Sequence, residues 1–404
     1  MVTALGDRPQ ACLLHTRPGT VPGYSSGKVE KTMARFIGVD LHRSCFTTAT
    51  LAENGREYLR GWKLGQLDRF VQGLRKDDRV AVEMTTNVRL FHDAVRPHVD
   101  RVDVVNTRKF KVITASVNKT DRNDAVRLMR FLSKDLLPTV QLKEKHLAEL
   151  ASLTRTRDTF VKQRTTLKNK VNNRFAARGK KIEREQMSSN KALDELEGAA
   201  REFGAVEAVE LGVMFQQIRA LNDGLAKLEK LIKAEGAKLE GFKNLVSIKG
   251  IGPLSATVLL TVIGDVRRFA EEGKLAAYLG IVPRVSDSNQ VEHRGRITKL
   301  GSKLARTTLV QCGLIAKKYS PYLAAFHERI KKRKGGGKAN IALARKLLAV
   351  VYRTLWNGWE FADFGNYRLK DGRVPTREAM RSMKDRDAAS RRDLSHGGQA
   401  RRKR

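Results

Sequence analysis

Short runs of alternating apolar and polar residues dominate the chain between residues 35 and 106. RFIGVDLHRSCFTTATL predicts a buried strand, a polar turn and a second strand rich in β-branched residues. Asn54-Gly55 then marks a tight hairpin turn, and DRVAVEMT and RVDVVN predict two further strands. Helical patterns separate the later strands, in LGQLDRFVQGL and VRLFHDAVRPH. The pattern therefore predicts an α/β domain.

A hairpin followed by alternating β and α units is typical of ribonuclease-H-like domains, and we assign residues 35–140 to such a domain. The remaining boundaries follow changes in pattern and composition. They give a disordered extension at 1–34, a basic helical arm at 141–240, a helical C-terminal domain at 241–365 and a basic disordered tail at 366–404.

The arm is highly charged, lacks proline and carries apolar residues at heptad spacing, which predicts a coiled coil. The heptad positions are Leu211, Ile218, Leu225 and Ile232, with Met214, Leu221 and Leu228 in a second seam and Leu153, Phe160 and Leu167 in a weaker upstream repeat. Two alternatives stay open, an antiparallel helix pair within one chain and self-association through the arm. The basic stretch 154–181 is predicted to contact nucleic acid, although a solvated helix face would have a similar composition. Gly179 is predicted to end the first helix.

The C-terminal domain opens with LVSIKGIGPLSATVLLTVIG, which has the form of a helix-hairpin-helix. Gly250 and Gly252, next to Lys249, would let backbone N–H groups approach a phosphate, whereas a plain helix connection is the alternative. A polar loop is predicted to follow, containing Ser286 and Ser288. Its hydroxyls could form turns or meet a phosphate among neighbouring cations, and composition leaves both open. These cations are Arg284, Arg294, Arg296 and Lys299.

Composition adds the partner class. Lys and Arg number 79 against 43 Asp and Glu, a formal net charge of +36, which indicates a polyanionic partner, most simply nucleic acid. Cys12, Cys45 and Cys312 are isolated, so neither a zinc site nor a disulfide framework is expected, in keeping with a reducing cytoplasm. No apolar run is long enough to predict a membrane span.

Four carboxylates fall at the ends of predicted elements: Asp40, Glu83, Asp121 and Asp124. Mg²⁺ prefers hard oxygen ligands, so a set drawn from two strands and a helix start predicts a magnesium site. Each residue also has a plain alternative. Asp40 could be a turn residue, Asp121 an N-cap, and Asp124 a partner of Arg127 or Lys119. Glu83 lies between apolar residues, where an unpaired carboxylate is costly, which favours function.

Six motifs in order resemble one family, the DEDD transposases of bacterial insertion sequences, described as bridge-RNA-guided serine recombinases. They are IGVDLH, VAVEMT, KTDRNDA, IKGIGPLSA, LAAYLGIVPR and HRGRITKLGSKLAR, and the resemblance spans roughly residues 35 to 365. It implies a RuvC-like N-terminal domain, a coiled-coil dimerisation arm and a small helical transposase domain. It also implies that the acidic tetrad is Asp40, Glu83, Asp121 and Asp124.

The family's nucleophilic serine matches Ser288 best, with Ser286 and the more distant Ser302 as competitors, because Asn289 stands where glycine is usual. The resemblance implies a covalent phosphoserine link to DNA, Mg²⁺ (or Mn²⁺) at the acids, and catalytic parts that meet across subunits of a dimer or tetramer. It further implies that a noncoding RNA selects donor and target DNA, and that the protein is cytoplasmic and associates with the nucleoid when acting.

Two other functions compete with this one. A RuvC-like nuclease would use the same carboxylates with water as the nucleophile, although it leaves the arm and the serine segment without a role. A noncatalytic nucleic-acid-binding protein would explain the charge of +36 but not Glu83 at a buried strand end.

Overall fold

The computed structural model describes residues 34–107, 109–110, 120–182, 187, 189–288 and 291–361. The chain divides into two compact units, residues 1–142 and 143–404. Each unit has its own hydrophobic core. The arm and the C-terminal domain of the sequence analysis both fall in the second unit, and the boundary between them stays a prediction.

The first unit is built on a five-stranded sheet. Its strands are β1 (Phe36–Leu41), β2 (Cys45–Leu51), β3 (Glu57–Lys63), β4 (Arg79–Glu83) and β5 (Arg101–Val105). They lie in the order β3-β2-β1-β4-β5, with β1, β2 and β3 antiparallel and β1, β4 and β5 parallel. The helices are α1 (Leu67–Gln72), α2 (Val88–Val95) and α3 (Asp121–Ser133). The α/β prediction is confirmed here, and the topology is consistent with a RuvC-like domain.

The two faces of this sheet are packed differently. An aromatic cluster fills the face that carries α1 and α2, where the Phe46 ring contacts Trp62, Phe70 and Phe91 at centroid distances of 5.4 to 6.0 Å. Small side chains line the part of the other face that carries α3, among them Ala49 and Ala81. Alternate strand residues point to opposite faces, so the even-numbered positions of β1 point toward α3.

The second unit is mainly helical. Its helices are α4 (Lys145–Ala177), α5 (Asn190–Ala200), α6 (Ala205–Ala237), α7 (Phe242–Val246), α8 (Pro253–Ile263), α9 (Glu272–Leu279), α10 (Lys303–Tyr319), α11 (Pro321–Lys334) and α12 (Gly336–Asn357). Short 3-10 turns lie at Leu64–Gln66, Arg96–His98, Arg201–Phe203 and Val266–Arg268. None of the described helices is both long and apolar enough to cross a bilayer.

Helices α4 and α6 pack antiparallel within the chain. Arg157 on α4 pairs with Glu229 on α6 at 2.7 Å, whereas Arg174, further along α4, pairs with the earlier Glu210 at 2.9 Å. The heptad residues Leu211, Ile218, Leu225 and Ile232 are all buried. The intramolecular alternative therefore describes these two helices, and self-association through a coiled coil stays a prediction. Helix α4 ends at Ala177, two residues before Gly179, as predicted.

The segment assigned to a helix-hairpin-helix forms two helices, α7 and α8, joined by the turn that contains Gly250 and Gly252. Gly250 has φ +104°, and a Cβ there would lie 2.7 Å from the backbone nitrogen of Ala316 on α10. Glycine is therefore required at this position because the backbone of α10 packs directly against it. At Gly252 a Cβ would meet open space. Helix α8 is core, as predicted, and the assignment of the motif itself stays a prediction.

The prediction of a polar loop around Ser286 and Ser288 is wrong for the backbone. These residues lie in β6 (Pro283–Ser288), which pairs with β7 (Val291–Ile297) as an antiparallel hairpin. The β-branched residues Val285, Val291 and Ile297 favour extended backbone within an otherwise polar segment. Ser286 pairs with His293 and Ser288 with Val291, while residues 289–290 lie outside the described residues.

Candidate active site

A row of small residues sets the position of helix α3 on the sheet. Gly38 on β1 pairs in register with Ala49 on β2 and with Ala81 on β4. A Cβ at Gly38 would lie 2.1 Å from the carbonyl oxygen of Ala125 and 2.4 Å from the backbone nitrogen of Met129, both on α3. The helix backbone therefore rests directly on the strand backbone. Asp40 is two residues beyond Gly38 on the same face, so it points toward the first turn of α3.

The first turn of α3 carries two of the predicted acids. Its N-cap is Thr120, whose Oγ1 accepts a hydrogen bond from the backbone N–H of Asn123 at 3.3 Å. The alternative that Asp121 is the N-cap is therefore wrong. Because Thr120 fills the capping position, neither carboxylate caps the helix, and Asp121 and Asp124 lie on its first turn, where the helix dipole favours negative charge.

Asp40, His42 and Asp121 converge at this point. The Nε2 atom of His42 lies 3.1 Å from Oδ2 of Asp40 and 3.3 Å from Oδ1 of Asp121. One ligand atom from each residue lies within 4.8 Å of the other two. Asp40 is buried, with 5% of its surface exposed, whereas Asp121 and His42 are open to solvent. The cluster is therefore buried on the side of Asp40 and open to solvent on the side of His42 and Asp121.

The surroundings of Asp40 disfavour the ionised form of its carboxyl group. Burial raises the pKa of the Asp40 carboxyl; His42 lowers it, and the carboxylates of Asp121 and Asp124 raise it further. The net direction is upward, so ionised Asp40 is held in an unfavourable environment. A cation bound between these carboxylates would relieve both their mutual repulsion and the cost of burial.

Asp124 is buried beside the cluster, with 4% of its surface exposed. Its Oδ1 accepts a hydrogen bond from Arg127 at 3.1 Å, so the predicted pairing with Arg127 is present. Lys119, the other partner considered, lies outside the described residues. The ion pair does not remove Asp124 from the acidic group, because its charge still acts on Asp40.

Glu83 occupies the last position of β4, as predicted. The parallel register of β1 and β4 pairs Val39 with Val82. The next position on each strand brings Asp40 and Glu83 side by side at the same edge of the sheet, with side chains on the same face. The carboxyl group of Glu83 is not among the atoms of the 4.8 Å cluster, so its part in the site stays a prediction.

The residues present fit a divalent metal ion. Hard dications take carboxylate oxygens from a few different elements and keep several waters, and this edge of the sheet offers carboxylates from β1, β4 and α3. Asp40 and Asp121 would hold such an ion, with Asp124 and Glu83 beside them. When bound, the ion would supply positive charge to a phosphodiester undergoing cleavage.

Sequence reasoning missed His42 and the row of small residues. His42 stands in the quoted motif IGVDLH, two positions after Asp40, and that spacing alone puts both side chains on one face of an extended segment. The signal for the small-residue row was weaker. Gly38, Ala49 and Ala81 become a row only when the strand registers are known.

The predicted serines and cations belong to the second unit. Ser302 is the N-cap of α10, and its Oγ accepts a hydrogen bond from the backbone N–H of Ala305 at 3.2 Å, so the most distant competitor has a structural role. The side chains of Ser286, Ser288 and Arg294 lie outside the described residues. The remaining predicted cations all expose their side chains to solvent: Lys249, Arg284, Arg296 and Lys299.

Comparison with known protein families assigns the class. A model for DEDD transposases of the IS110 type, described as "Transposase", matches residues 37–175. A second model, described as "Transposase IS116/IS110/IS902 family", matches residues 242–328. The chain belongs to this family of insertion-sequence transposases, and it is a DNA transposase. The resemblance found in the sequence is confirmed, and the noncatalytic alternative is removed.

Individual relatives agree with this assignment. The transposase for insertion sequence element IS1111A of Coxiella burnetii is 24% identical over 330 residues, which cover 80% of this chain and 89% of that protein. The transposase for element IS1328 of Yersinia enterocolitica is 23% identical over 81% of this chain and 98% of that protein. The pilin gene-inverting protein of Moraxella lacunata is 25% identical over 66% of this chain and 76% of that protein.

Proposed function

We propose that this transposase mobilises its insertion sequence with two catalytic parts. The first is a metal-binding acidic site formed by Asp40, Glu83, Asp121 and Asp124. The second is the nucleophile Ser288 on the β6–β7 hairpin. The observation that carries the proposal is the convergence of buried Asp40 on Asp121 at positions that match the family's acidic motif.

The chemistry is a transesterification at phosphorus. The Oγ of Ser288 forms a new bond to the phosphorus of a DNA phosphodiester and loses its proton, while the bond from that phosphorus to one deoxyribose oxygen breaks. The freed oxygen takes up a proton and leaves as a hydroxyl. The phosphodiester energy is thereby kept in a phosphoserine link, which a second DNA end can attack in the reverse sense. Positive charge at the acidic site would stabilise the oxygens that become more negative.

The nucleic-acid partners in this proposal are donor DNA, target DNA and a guiding noncoding RNA. Support comes from the formal charge of +36 and from an exposed arginine on each strand of the hairpin, Arg284 on β6 and Arg296 on β7. Such cations read phosphates and duplex shape, whereas base pairing with the RNA would choose the sequence. In this scheme Lys249 and the open backbone at Gly252 form a second phosphate contact.

Self-association is part of the proposal, as a dimer or a tetramer. Its support is an apolar stripe on α6 whose side chains are exposed in the part of the chain that the structure describes. Val206, Val209 and Val213, at positions i, i+3 and i+7, are 84%, 69% and 52% exposed. Sedimentation of the wild type and of Val209→Glu tests this, with the expected result that the wild type is oligomeric and the variant dissociates at the same concentration. A monomeric wild type in the presence of DNA and RNA would contradict it.

An adduct assay tests the catalytic proposal. The full chain is incubated with Mg²⁺, RNA transcribed from the flank of its element, and labelled donor and target DNA, and is then run on a denaturing gel. We expect a protein–DNA band that is lost in Ser288→Ala and in Asp121→Asn, and that requires the RNA. Ser302→Ala removes the hydroxyl that caps α10 and should keep the band, whereas loss of the band in Ser302→Ala alone would move the nucleophile to this distant competitor.

The other outcomes assign other mechanisms. A band that survives Ser288→Ala but disappears in Ser286→Ala moves the nucleophile by two residues. Cleaved DNA ends with no covalent band mean that water attacks, and a RuvC-like nuclease mechanism then replaces the serine. Cleavage or adduct formation in the absence of RNA overturns RNA guidance without touching the acidic site.

A further inference from the structure

His42 is held firmly in place at the edge of the acidic site. Its backbone N–H donates to the carbonyl oxygen of Cys45 at 2.9 Å, which closes the turn between β1 and β2. Its own carbonyl oxygen accepts a hydrogen bond from Nδ2 of Asn87 at 2.9 Å, on the segment between β4 and α2. The start of β2 and the segment between β4 and α2 therefore fix the backbone from which the imidazole projects.

The imidazole nitrogen lies within hydrogen-bonding distance of the Asp40 carboxylate, and two ligands of one metal ion would have a similar spacing. Adjacent ligands of an octahedral ion bound at about 2.1 Å are separated by about 3.0 Å. The Nε2 atom of His42 lies 3.1 Å from the Asp40 oxygen and 3.3 Å from the Asp121 oxygen, which matches that spacing. The imidazole side chain is 45% exposed, so the remaining positions around an ion would be open to water or to a phosphate.

A nitrogen ligand changes which ion the site accepts. Mg²⁺ is a hard cation that takes oxygen ligands almost exclusively, whereas imidazole nitrogen is a good ligand for first-row transition metals. We propose that His42 is a third metal ligand with Asp40 and Asp121, and that it makes this site select a transition ion such as Mn²⁺ over Mg²⁺. The inference rests on the proposed metal function of the acidic site and specifies its ion.

Pulsed electron paramagnetic resonance of bound Mn²⁺ tests the ligand directly. Untagged full-length protein is loaded with less than one equivalent of Mn²⁺, and the modulation from a directly bound ¹⁴N nucleus is recorded. We expect this modulation in the wild type and its loss in His42→Phe, which keeps a ring but removes the nitrogen. His92→Gln is the matched control, because His92 also contacts a carboxylate, at 3.0 Å from Asp93, but is not in the cluster. It should keep the modulation.

Metal affinities measured on the same proteins test the selectivity. His42→Asp makes the ligand set all-oxygen, so we expect the ratio of the Mg²⁺ Kd to the Mn²⁺ Kd to fall by about tenfold relative to the wild type. His92→Gln should leave that ratio unchanged. An unchanged ratio in His42→Asp would overturn the proposed selectivity.

Failure of this inference and failure of the metal site give different results. Suppose that the wild type binds Mn²⁺, that Asp121→Asn abolishes this binding, and that no ¹⁴N modulation is seen in the wild type. His42 is then not a ligand, and the acidic site is still supported. If Asp121→Asn does not weaken Mn²⁺ binding, the acidic site itself is wrong, and the inference about His42 falls with it.

Discussion

The acidic cluster and the serine hairpin supply the two parts of the proposed chemistry, but they are supported in different ways. Asp40 and Asp124 are buried in a packed core, and helix α3 lies against the strands through Gly38. The β6–β7 hairpin pairs only with itself, and its described residues Arg284, Val285 and Arg296 are exposed. A site that must hold several carboxylates close together needs a rigid support, whereas a single nucleophile can be carried on an exposed ribbon.

The largest expected effect comes from Gly38→Ala, which disturbs the packing of α3 on β1 beneath the acidic site. The new methyl group would lie 2.1 Å from the Ala125 carbonyl oxygen, so α3 must move away from β1. We expect a loss of about 3 kcal/mol in the free energy of unfolding, together with weaker metal binding. Scanning calorimetry and a Mn²⁺ titration measure the two effects.

The matched control is Gly61→Ala on β3, where a Cβ meets nothing within 4 Å. It should leave both stability and metal binding nearly unchanged. Equal stability of the two variants would show that close contact between α3 and β1 does not position the acids.

Gly250→Ala and Gly252→Ala compare a closely packed glycine with an open one in the second unit. The φ of +104° at Gly250 and its contact with Ala316 predict a destabilisation of about 2 kcal/mol or more. Gly252→Ala, two residues away in open space, should leave the melting temperature unchanged while weakening DNA binding if the backbone there approaches a phosphate. Melting curves and DNA titrations separate the two, and a stable Gly250→Ala protein would contradict the packing role.

Asp40→Asn should stabilise the protein in the presence of a chelator. Because the pKa of Asp40 is raised in the folded protein, its ionisation costs folding free energy. This cost is absent below the pKa of the unfolded chain and fully present above the folded pKa, so metal-free stability should fall as pH rises through that interval. We expect the variant to be more stable than the wild type at pH 7 in chelator and to lose the stabilisation by Mn²⁺. Calorimetry with and without metal provides the measurement, and a less stable variant in chelator would contradict it.

The smallest expected effect on stability is that of Ser288→Ala. The hairpin has no described buried side chain, so the change in unfolding free energy should stay within about 0.5 kcal/mol. Thermal melts of the wild type and the variant measure it. The adduct should nevertheless be lost, and this contrast distinguishes a nucleophile from a structural serine. A clear drop in melting temperature would mean that Ser288 supports the fold, and the loss of adduct would then have another explanation.

Much of the first unit could be predicted from sequence because its pattern is local. Alternating residues in RFIGVDL, the Asn54-Gly55 turn and the buried run in DRVAVE each fix a strand or a turn within a few residues. The strand-end position of Glu83 followed from the same local reading. The hairpin at Ser288 was predicted as a loop because its polar composition outweighed three β-branched residues, and pairing between its two strands decided the backbone.

The sequence by itself determined the α/β class of the first unit, the excess positive charge and the motifs that place the chain among insertion-sequence transposases. These are properties of composition and of residues close along the chain. Only the tertiary structure decided that Asp40 and His42 meet Asp121, and that Leu211 and Ile218 of the α6 heptad are buried in a cluster of this chain's own residues. Both outcomes depend on strand register and helix packing, which bring together residues as far apart along the chain as Asp40 and Asp121, and no local pattern specifies such contacts.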